Sequence, residues 1–244
     1  MDVGFYLYGI FPDSISETIM LQGLDLQPVR SQSIEGFSFL YSGAKQEKYL
    51  ASRRNLICHE KVLEQAMNQG FRTLLPLRFG LVVQNWETVI SQLIYPYKED
   101  LKKLFSQLEG RREVSIKILW DSKLELQSLM ADNQNLQQKR DALEGKKLSM
   151  EEVIEIGQLI ESHLDACKQD IIQVFRHELN PLAEAIVEND PMTEEMIYNA
   201  AYLITWDSES EFGKRVEAID QKFGNRLRIR YNNFTAPYTF AQIS

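Results

Sequence analysis

The sequence predicts an α+β fold in two domains, the second a modified ferredoxin-like sheet with an extended helical hairpin. Three observations predict it. Through residues 1–110, short β-biased runs alternate with stretches of helical spacing. At Gly110-Arg111-Arg112 a helix gives way to a new strand, which marks the expected junction. From there to residue 244 the order is strand, helical hairpin, strand, helix, strand, and right-handed crossovers of that order build a split β-α-β sheet. The length agrees, since 244 residues make between one and two domains at about 150 residues each.

The elements follow in order. Residues 3–10, VGFYLYGI, read as a buried strand stopped by Pro12-Asp13. Residues 24–30 and 34–41 flank Ser31-Gln32-Ser33, with Ile34, Phe37, Phe39 and Tyr41 nearly alternating around Gly36; this is the pattern of a bulged hairpin. Residues 46–69 change to helical spacing and end at Gly70, a natural residue after a helix C-terminus. TLLPLRFGLVV, residues 73–83, is β-biased but carries Pro76 and Gly80, so it is an edge, a bulge or two short pieces. Residues 86–108 are helical, bent or broken at Pro96.

In residues 113–121, Val114, Ile116, Ile118 and Trp120 share one strand face, with Glu113, Ser115, Lys117 and Leu119 on the other. Leu129, Leu136 and Leu143 mark a heptad seam, but Asn133 and Arg140 hold its companion positions, so the helix is expected to pack antiparallel on its neighbour. That neighbour starts at Ser149 with Glu152 as a capping box and keeps apolar residues at three/four spacing from Val153 to Leu179. Thirty residues make a helix of roughly 45 Å, against a radius of gyration of about 18 Å for a globule of this length. The hairpin should therefore project from or run across its domain, until Pro181 ends it. Residues 196–207 are a further strand. Asp207 or Ser208 should cap the next helix, with Glu211 closing a box and Gly224 ending it, and residues 226–231 form the last strand. The tail carries Phe234, Tyr238 and Phe240, whose exposure would forgo about 1.5–3 kcal/mol each. It should fold back.

Composition sets limits on function. Hydrophobic residues at 44% and charged residues at 25% exclude a mostly disordered chain. No apolar run approaches the ~18 residues of a membrane span, and MDVGFYLYGIF has neither the basic start nor the cleavage site of a signal peptide. Cys58 and Cys167 lie far apart, as free thiols in a reducing compartment do, so the expected location is cytoplasmic. The net charge of −8 is uneven: residues 1–110 carry 11 basic and 12 acidic side chains, residues 121–195 carry 7 and 17. An acidic helical region opposes counterion release from nucleic acid, which is not expected as a partner, and neither is a lipid membrane. Arg226, Arg228 and Arg230 would share a strand face, a solvated face meeting carboxylates or else a phosphate-binding one.

Chemistry is thinly supported. His163 and Cys167 have metal-ligand spacing on a helix, yet Cys167 lies on the apolar stripe and no second ligand pair follows. Cys58-His59-Glu60 are helix neighbours, and adjacent residues do not face each other. Ser42 and Lys45 have a serine-x-x-lysine spacing without supporting motifs. Asn233-Phe-Thr235 matches a glycosylation sequon, inert in a cytoplasmic protein. There is no glycine-rich phosphate loop. No catalytic, metal or cofactor residue is expected.

HEKVLEQAMNQGFRTLLPLRFGLVV, residues 59–83, resembles the signature of the gas vesicle protein F/L family, in which a His-Glu-x-Val-Leu-Glu helix leads into Leu-Pro-Leu-Arg-Phe-Gly. FYLYGI, GRREVSIKILWD and the tail APYTFAQI are similar to corresponding stretches of that family, though Thr235-Ala236-Pro237 stands where relatives are richer in proline and glycine. The resemblance implies a non-catalytic accessory protein for gas vesicle assembly, associated with the vesicle. Its expected partner is the small hydrophobic shell protein, together with other gas vesicle accessory proteins. The expected contact is in residues 1–110, at Leu77, Arg78, Phe79 and Leu81, where Pro76 and Gly80 would leave strand backbone unpaired or bulged. The rivals are a haem enzyme on tandem ferredoxin-like domains, ligated by His163 or His177, and a scaffold dimerising through the Leu129/Leu136/Leu143 seam.

Overall fold

A computed structural model describes residues 3–12, 21–132 and 149–242. Its contacts divide the chain into two units, one of residues 1–114, 203–207 and 233–244, the other of residues 115–202 and 208–232. The aromatic tail, grouped by the sequence with residues 111–244, is thus counted with the first unit.

The first unit is built around β1 (Gly4–Phe11), whose residues are nearly all buried. One edge of β1 pairs antiparallel with β4 (Phe37–Ala44), with a bulge between Leu7 and Gly9. β4 pairs with β3 (Pro28–Ile34), and β3 with the two-residue β2 (Leu21–Gln22). The hairpin expected from the sequence is present, but its turn is Glu35-Gly36 rather than Ser31–Ser33. Both turn residues have positive φ, 52° and 87°, as a two-residue turn that matches strand twist requires. Ser31 to Ser33 stay in the strand, where Ser33 Oγ lies 2.8 Å from Ser38 Oγ across the pair.

The free edge of β1 is covered by two short strands, β5 (Leu75–Pro76) and β6 (Val82–Val83). Proline cannot donate to a ladder, and Gly80 turns with φ 91°. The β-biased stretch therefore becomes two pieces with a loop between them.

Helix α1 (Arg53–Asn68) starts at Ser52, whose hydroxyl accepts from the Asn55 amide, and Gly70 follows its end with φ 101°. Val62, Leu63, Ala66 and Met67 pack with Tyr6, Tyr8 and Leu40 in one core. The neighbouring β1 and β4 side chains meet another helical segment. Phe5 stacks on Trp86 with centroids 4.9 Å apart, and Phe37 stacks on Phe105 at 5.8 Å. That segment comprises α2 (Trp86–Val89), a π turn (Ile90–Ile94) and α3 (Tyr95–Leu108). The π turn falls just before Pro96, which lacks the N–H that would continue an i→i−4 ladder. The expected bend is this local unwinding.

The tail is tied to the same unit. Ala236 is fully buried in the core, with Phe234 and Tyr238 packed against it. Glu113 accepts from the Thr239 amide at 2.9 Å and from its hydroxyl at 2.7 Å. Burial pushes the Glu113 carboxyl up, while these bonds pull it back. Two guanidinium groups lie over the Trp206 ring, Arg72 at 4.6 Å and Arg112 at 4.5 Å from its centre. Arg112 also donates to the Asn233 carbonyl.

In the second unit and the strands that lead to it, a four-stranded sheet has the order β10-β7-β9-β8. β7 (Arg111–Trp120) buries Val114, Ile116, Ile118 and Trp120 on one face. Asp121 Oδ1 accepts from the amides of Lys123 and Leu124 and so starts α4 (Ser122–Asp132). Leu136 and Leu143 of the heptad seam lie outside the described residues; Leu129 is half-buried on α4. α5 (Met150–Leu179) begins with the expected capping box, Ser149 Oγ accepting from the Glu152 amide and Glu152 Oε2 from the Ser149 amide. Only Ile171, Ile172, Phe175 and Leu179 of this helix are buried. It ends at Leu179, ahead of Pro181.

β8 (Ala185–Glu188) has no counterpart in the sequence reading. Two half-buried residues followed by two exposed ones carry no alternation. The strand is secured instead by Glu188, which takes two bonds from Arg176, at 2.8 and 2.5 Å, and one from the Tyr198 hydroxyl. β9 (Met196–Thr205) follows, then α6 (Glu209–Phe223), which buries Phe212, Val216 and Ile219. Ser208 is the N-cap residue, but its side chain makes no cap bond, because its backbone is already helical (φ −78°, ψ −11°). β10 (Leu227–Thr235) closes the sheet. Arg226 precedes it in a 3₁₀ turn and forks onto Glu125 at 2.6 and 2.7 Å, and Arg228 lies 3.8 Å from Glu195.

Removing residues 236–244 deletes Ala236, Phe240 and the Thr239 clasp. At about 1.5–3 kcal/mol for a buried aromatic and about 2–4 °C per kcal/mol at this size, the melting temperature should fall by roughly 5 °C or more in a calorimetric scan. An unchanged value would contradict the packing described.

Candidate functional site

The segment singled out by sequence, Leu77 to Leu81, is the loop between β5 and β6. Leu77, Phe79 and Leu81 are half-buried and Arg78 is exposed. Phe79 rests edge-on against Tyr6 and His59, with centroids 6.1 and 5.8 Å away. Arg78 makes no ion pair among the described residues.

The backbone here is not open, contrary to the expectation. The Leu77 amide donates to the Tyr8 carbonyl at 2.8 Å, and the Leu7 amide donates to the Leu81 carbonyl at 3.0 Å. Two side chains complete the fastening. The Gly80 amide donates to the Tyr6 hydroxyl at 2.9 Å, and His59 Nε2 lies 3.1 Å from the Leu77 carbonyl. Tyr6 Oη is 2.9 Å from His59 Nδ1. A carbonyl can only accept, so Nε2 carries the proton and Nδ1 accepts from Tyr6. The relay runs from Gly80 N–H to Tyr6 O–H to His59, and from His59 N–H to the Leu77 carbonyl.

His59 is 2% exposed, and burial lowers its pKa to about 4, the Leu77 carbonyl pulling the other way. Burial likewise pushes the Tyr6 hydroxyl well above the usual phenol range and Tyr8 up to about 12. These are groups held neutral to bond. His59 belongs to the helix half of the family signature, and it clamps the loop half. That is a physical reason for the two halves to occur together. The clamp was not legible in the sequence, where Cys58-His59-Glu60 suggested only helix packing; Tyr6 and Tyr8 two apart on one strand face were the available sign.

The other sequence candidates are dispersed. Ser42 is buried and bonded to the Tyr8 hydroxyl at 3.0 Å. Cys58 and Cys167 are free thiols, each pushed up by burial. Cys167 Sγ accepts from Arg226 at 2.9 Å. His163 is half-buried on α5, whereas His177 is exposed and 3.4 Å from Glu178. Among the described residues no group of three or more His, Cys, Asp or Glu side chains could hold a metal ion, and no helix is long and apolar enough to cross a membrane.

The chain is thus a mixed α and β protein in which buried Tyr6 and His59 fasten an apolar loop with one exposed arginine. Residues 4–242 match the model of the gas vesicle synthesis protein GvpL/GvpF family, and the chain belongs to that family. It is 71% identical to gas vesicle protein F of Nostoc sp. (strain PCC 7120) over all of both chains. It is 24% identical to gas vesicle protein L1 of Halobacterium salinarum, covering 98% of this chain and 90% of that one. The crystal structure of GvpF from Anabaena sp. PCC7120 superposes with a TM-score of 0.87 at 67% identity, covering 99% and 97% of the two chains. That of GvpF from Microcystis aeruginosa gives 0.87 at 65%, covering 99% and 100%. The role of the chain is therefore related to gas vesicles.

The neutral state of His59 has a pH signature. The unfolded imidazole takes up a proton near 6.5, the folded one only near 4. Between these values the unfolded state binds more protons, so stability falls as pH drops from 6.5 towards 4, by about 3 kcal/mol at the limit; above 6.5 the group contributes no slope. His59→Gln should lack this component. In urea titrations across the window, the stability gap between native chain and variant should narrow with acid, and a constant gap would rule out the neutral clamp.

Proposed function

We propose that this chain is an accessory protein of gas vesicle assembly that acts in the cytoplasm and at the vesicle by binding the hydrophobic shell subunit through the loop Leu77–Leu81, with other accessory proteins as further partners. Residues 1–110 form the domain that makes this contact. Residues 111–244 form a modified ferredoxin-like domain, a reading supported by the strand order β10-β7-β9-β8 with α4 and α5 between β7 and β8 and α6 between β9 and β10. A shell subunit presents an apolar surface until it joins the wall, and such a surface aggregates unless it is covered.

The observation that carries the reading is the clamp. A loop fastened at Leu77, Gly80 and Leu81 loses little further entropy on binding, and its half-buried Leu77, Phe79 and Leu81 surround one exposed arginine. Apolar side chains around an arginine are a common composition for an interface centre. No bond-making is asked of it.

Arg78→Glu is the cleanest test, because the side chain is exposed and its loss leaves the clamp intact. Binding of the full-length variant to purified shell protein should weaken by roughly 5–30-fold, the equivalent of about 1–2 kcal/mol, with an unchanged melting temperature. Undiminished binding would exclude the loop as the contact.

A further inference from the structure

A second surface in the first unit lies apart from the loop and is independent of the function proposed above. The turn after β2 and one face of α1 enclose a groove of about 670 Å³. Arg54, Ile57, Cys58, Lys61 and Gln65 line it at the three, four, seven and eleven spacing of a single helix face. Leu26 stands at its rim, 71% exposed. Asp25 and Leu26 both have left-handed backbone, φ 51° and 58°, a conformation that residues with a side chain seldom adopt. The turn is held in it by the Tyr49 hydroxyl, which donates to Asp25 Oδ2 at 3.0 Å, and by the Gln27 amide, which donates to the Leu24 carbonyl at 3.0 Å. The strain keeps a leucine in solvent beside a cationic helix face.

The second unit carries a surface of opposite charge. Met150, Val153 and Ile154 are 77, 49 and 52% exposed. With Gly157 and Glu161 they fall on one face of α5, at the same three, four, seven and eleven spacing. Residues 150–165 contain five carboxylates and no lysine or arginine. Among the described residues nothing lies within 4 Å of where a Cβ on Gly157 would sit, so none of them fills the centre of this face.

We propose that the groove of one copy receives the amino-terminal turns of α5 from a second copy, Leu26 and Ile57 against Met150, Val153 and Ile154, with Arg54 and Lys61 against Glu151 and Glu161. The apolar residues give the contact its area, and the opposite charges set its polarity. Because the two surfaces differ, the association is heterologous, head to tail, and each partner keeps one surface unused.

That asymmetry gives a decisive test on the full chain, by sedimentation equilibrium at low ionic strength. The native chain should self-associate, more weakly as salt screens the charges. Arg54→Glu/Lys61→Glu and Glu151→Lys/Glu161→Lys should each lose association by roughly tenfold or more, with melting temperatures unchanged because all four side chains are exposed. Mixed together, the two variants should associate again in alternation, since the native helix face of one meets the native groove of the other and the two reversed surfaces also carry opposite charges. A native chain that stays monomeric, or a mixture that does not associate, overturns the proposal. So does a groove variant that self-associates normally but fails to bind shell protein, which would give the groove to that partner. Arg78→Glu should self-associate like the native chain, so this result and that of the loop can fail separately.

Discussion

Three polar rings share one apolar layer in the first unit, and the unit can bury them only because each heteroatom has a partner. Tyr6 and Tyr8 are fully buried side by side with centroids 4.8 Å apart, and His59 packs against both. A buried polar atom without a partner costs about 1–3 kcal/mol. Here Tyr6 bonds His59 and the Gly80 amide, Tyr8 bonds Ser42 and the Leu24 amide, and His59 bonds the Leu77 carbonyl. Two of these partners are loop amides. The layer therefore fixes the β2–β3 turn through Tyr8 and the Leu77–Leu81 loop through Tyr6 and His59. Gly23 belongs to the same constraint, because a Cβ there would run into the Tyr8 hydroxyl.

The tail extends the arrangement across the unit by supplying partners for carboxylates that would otherwise be stranded. Glu60, next to His59 on α1, accepts from the Thr235 hydroxyl at 3.2 Å and also bonds the Tyr238 hydroxyl. Glu113 is 5% exposed and takes the Thr239 amide and hydroxyl. Apolar burial of Ala236 and Phe240 supplies the stability, and the two carboxylates fix the register. A greasy tail alone could slide; one read by paired acceptors has a single seat.

Sequence reasoning located most elements because their signals are local. The Ser149/Glu152 box, Gly70 after α1 and the interruption at Pro76 each act within a few residues. What it missed depends on partners distant in the chain. The turn at Glu35-Gly36 is chosen by register with β4, and four residues of β8 are secured by Arg176 and Tyr198. Arg226 leaves the strand pattern to meet Glu125, about a hundred positions away. The candidate loop shows both sides. Its composition was legible and two short pieces were one of three readings of its stretch, but its fastening was not legible, since no local rule connects His59 to Leu77 or Tyr6 to Gly80.

The fastening also explains why tyrosine and histidine stand where phenylalanine and leucine would bury more simply. Net hydrogen bonding inside a core adds little stability over well-packed apolar side chains. Its value lies in excluding alternatives, because a loop displaced by one residue would strand several donors at once. A loop that follows Pro76 and carries Gly80 has few ladder bonds to define it, so side chains must do so. Burial on one side and display on the other are then two consequences of one arrangement: the rings hold Leu77, Phe79 and Leu81 half-sunk, and the held backbone leaves Arg78 in solvent.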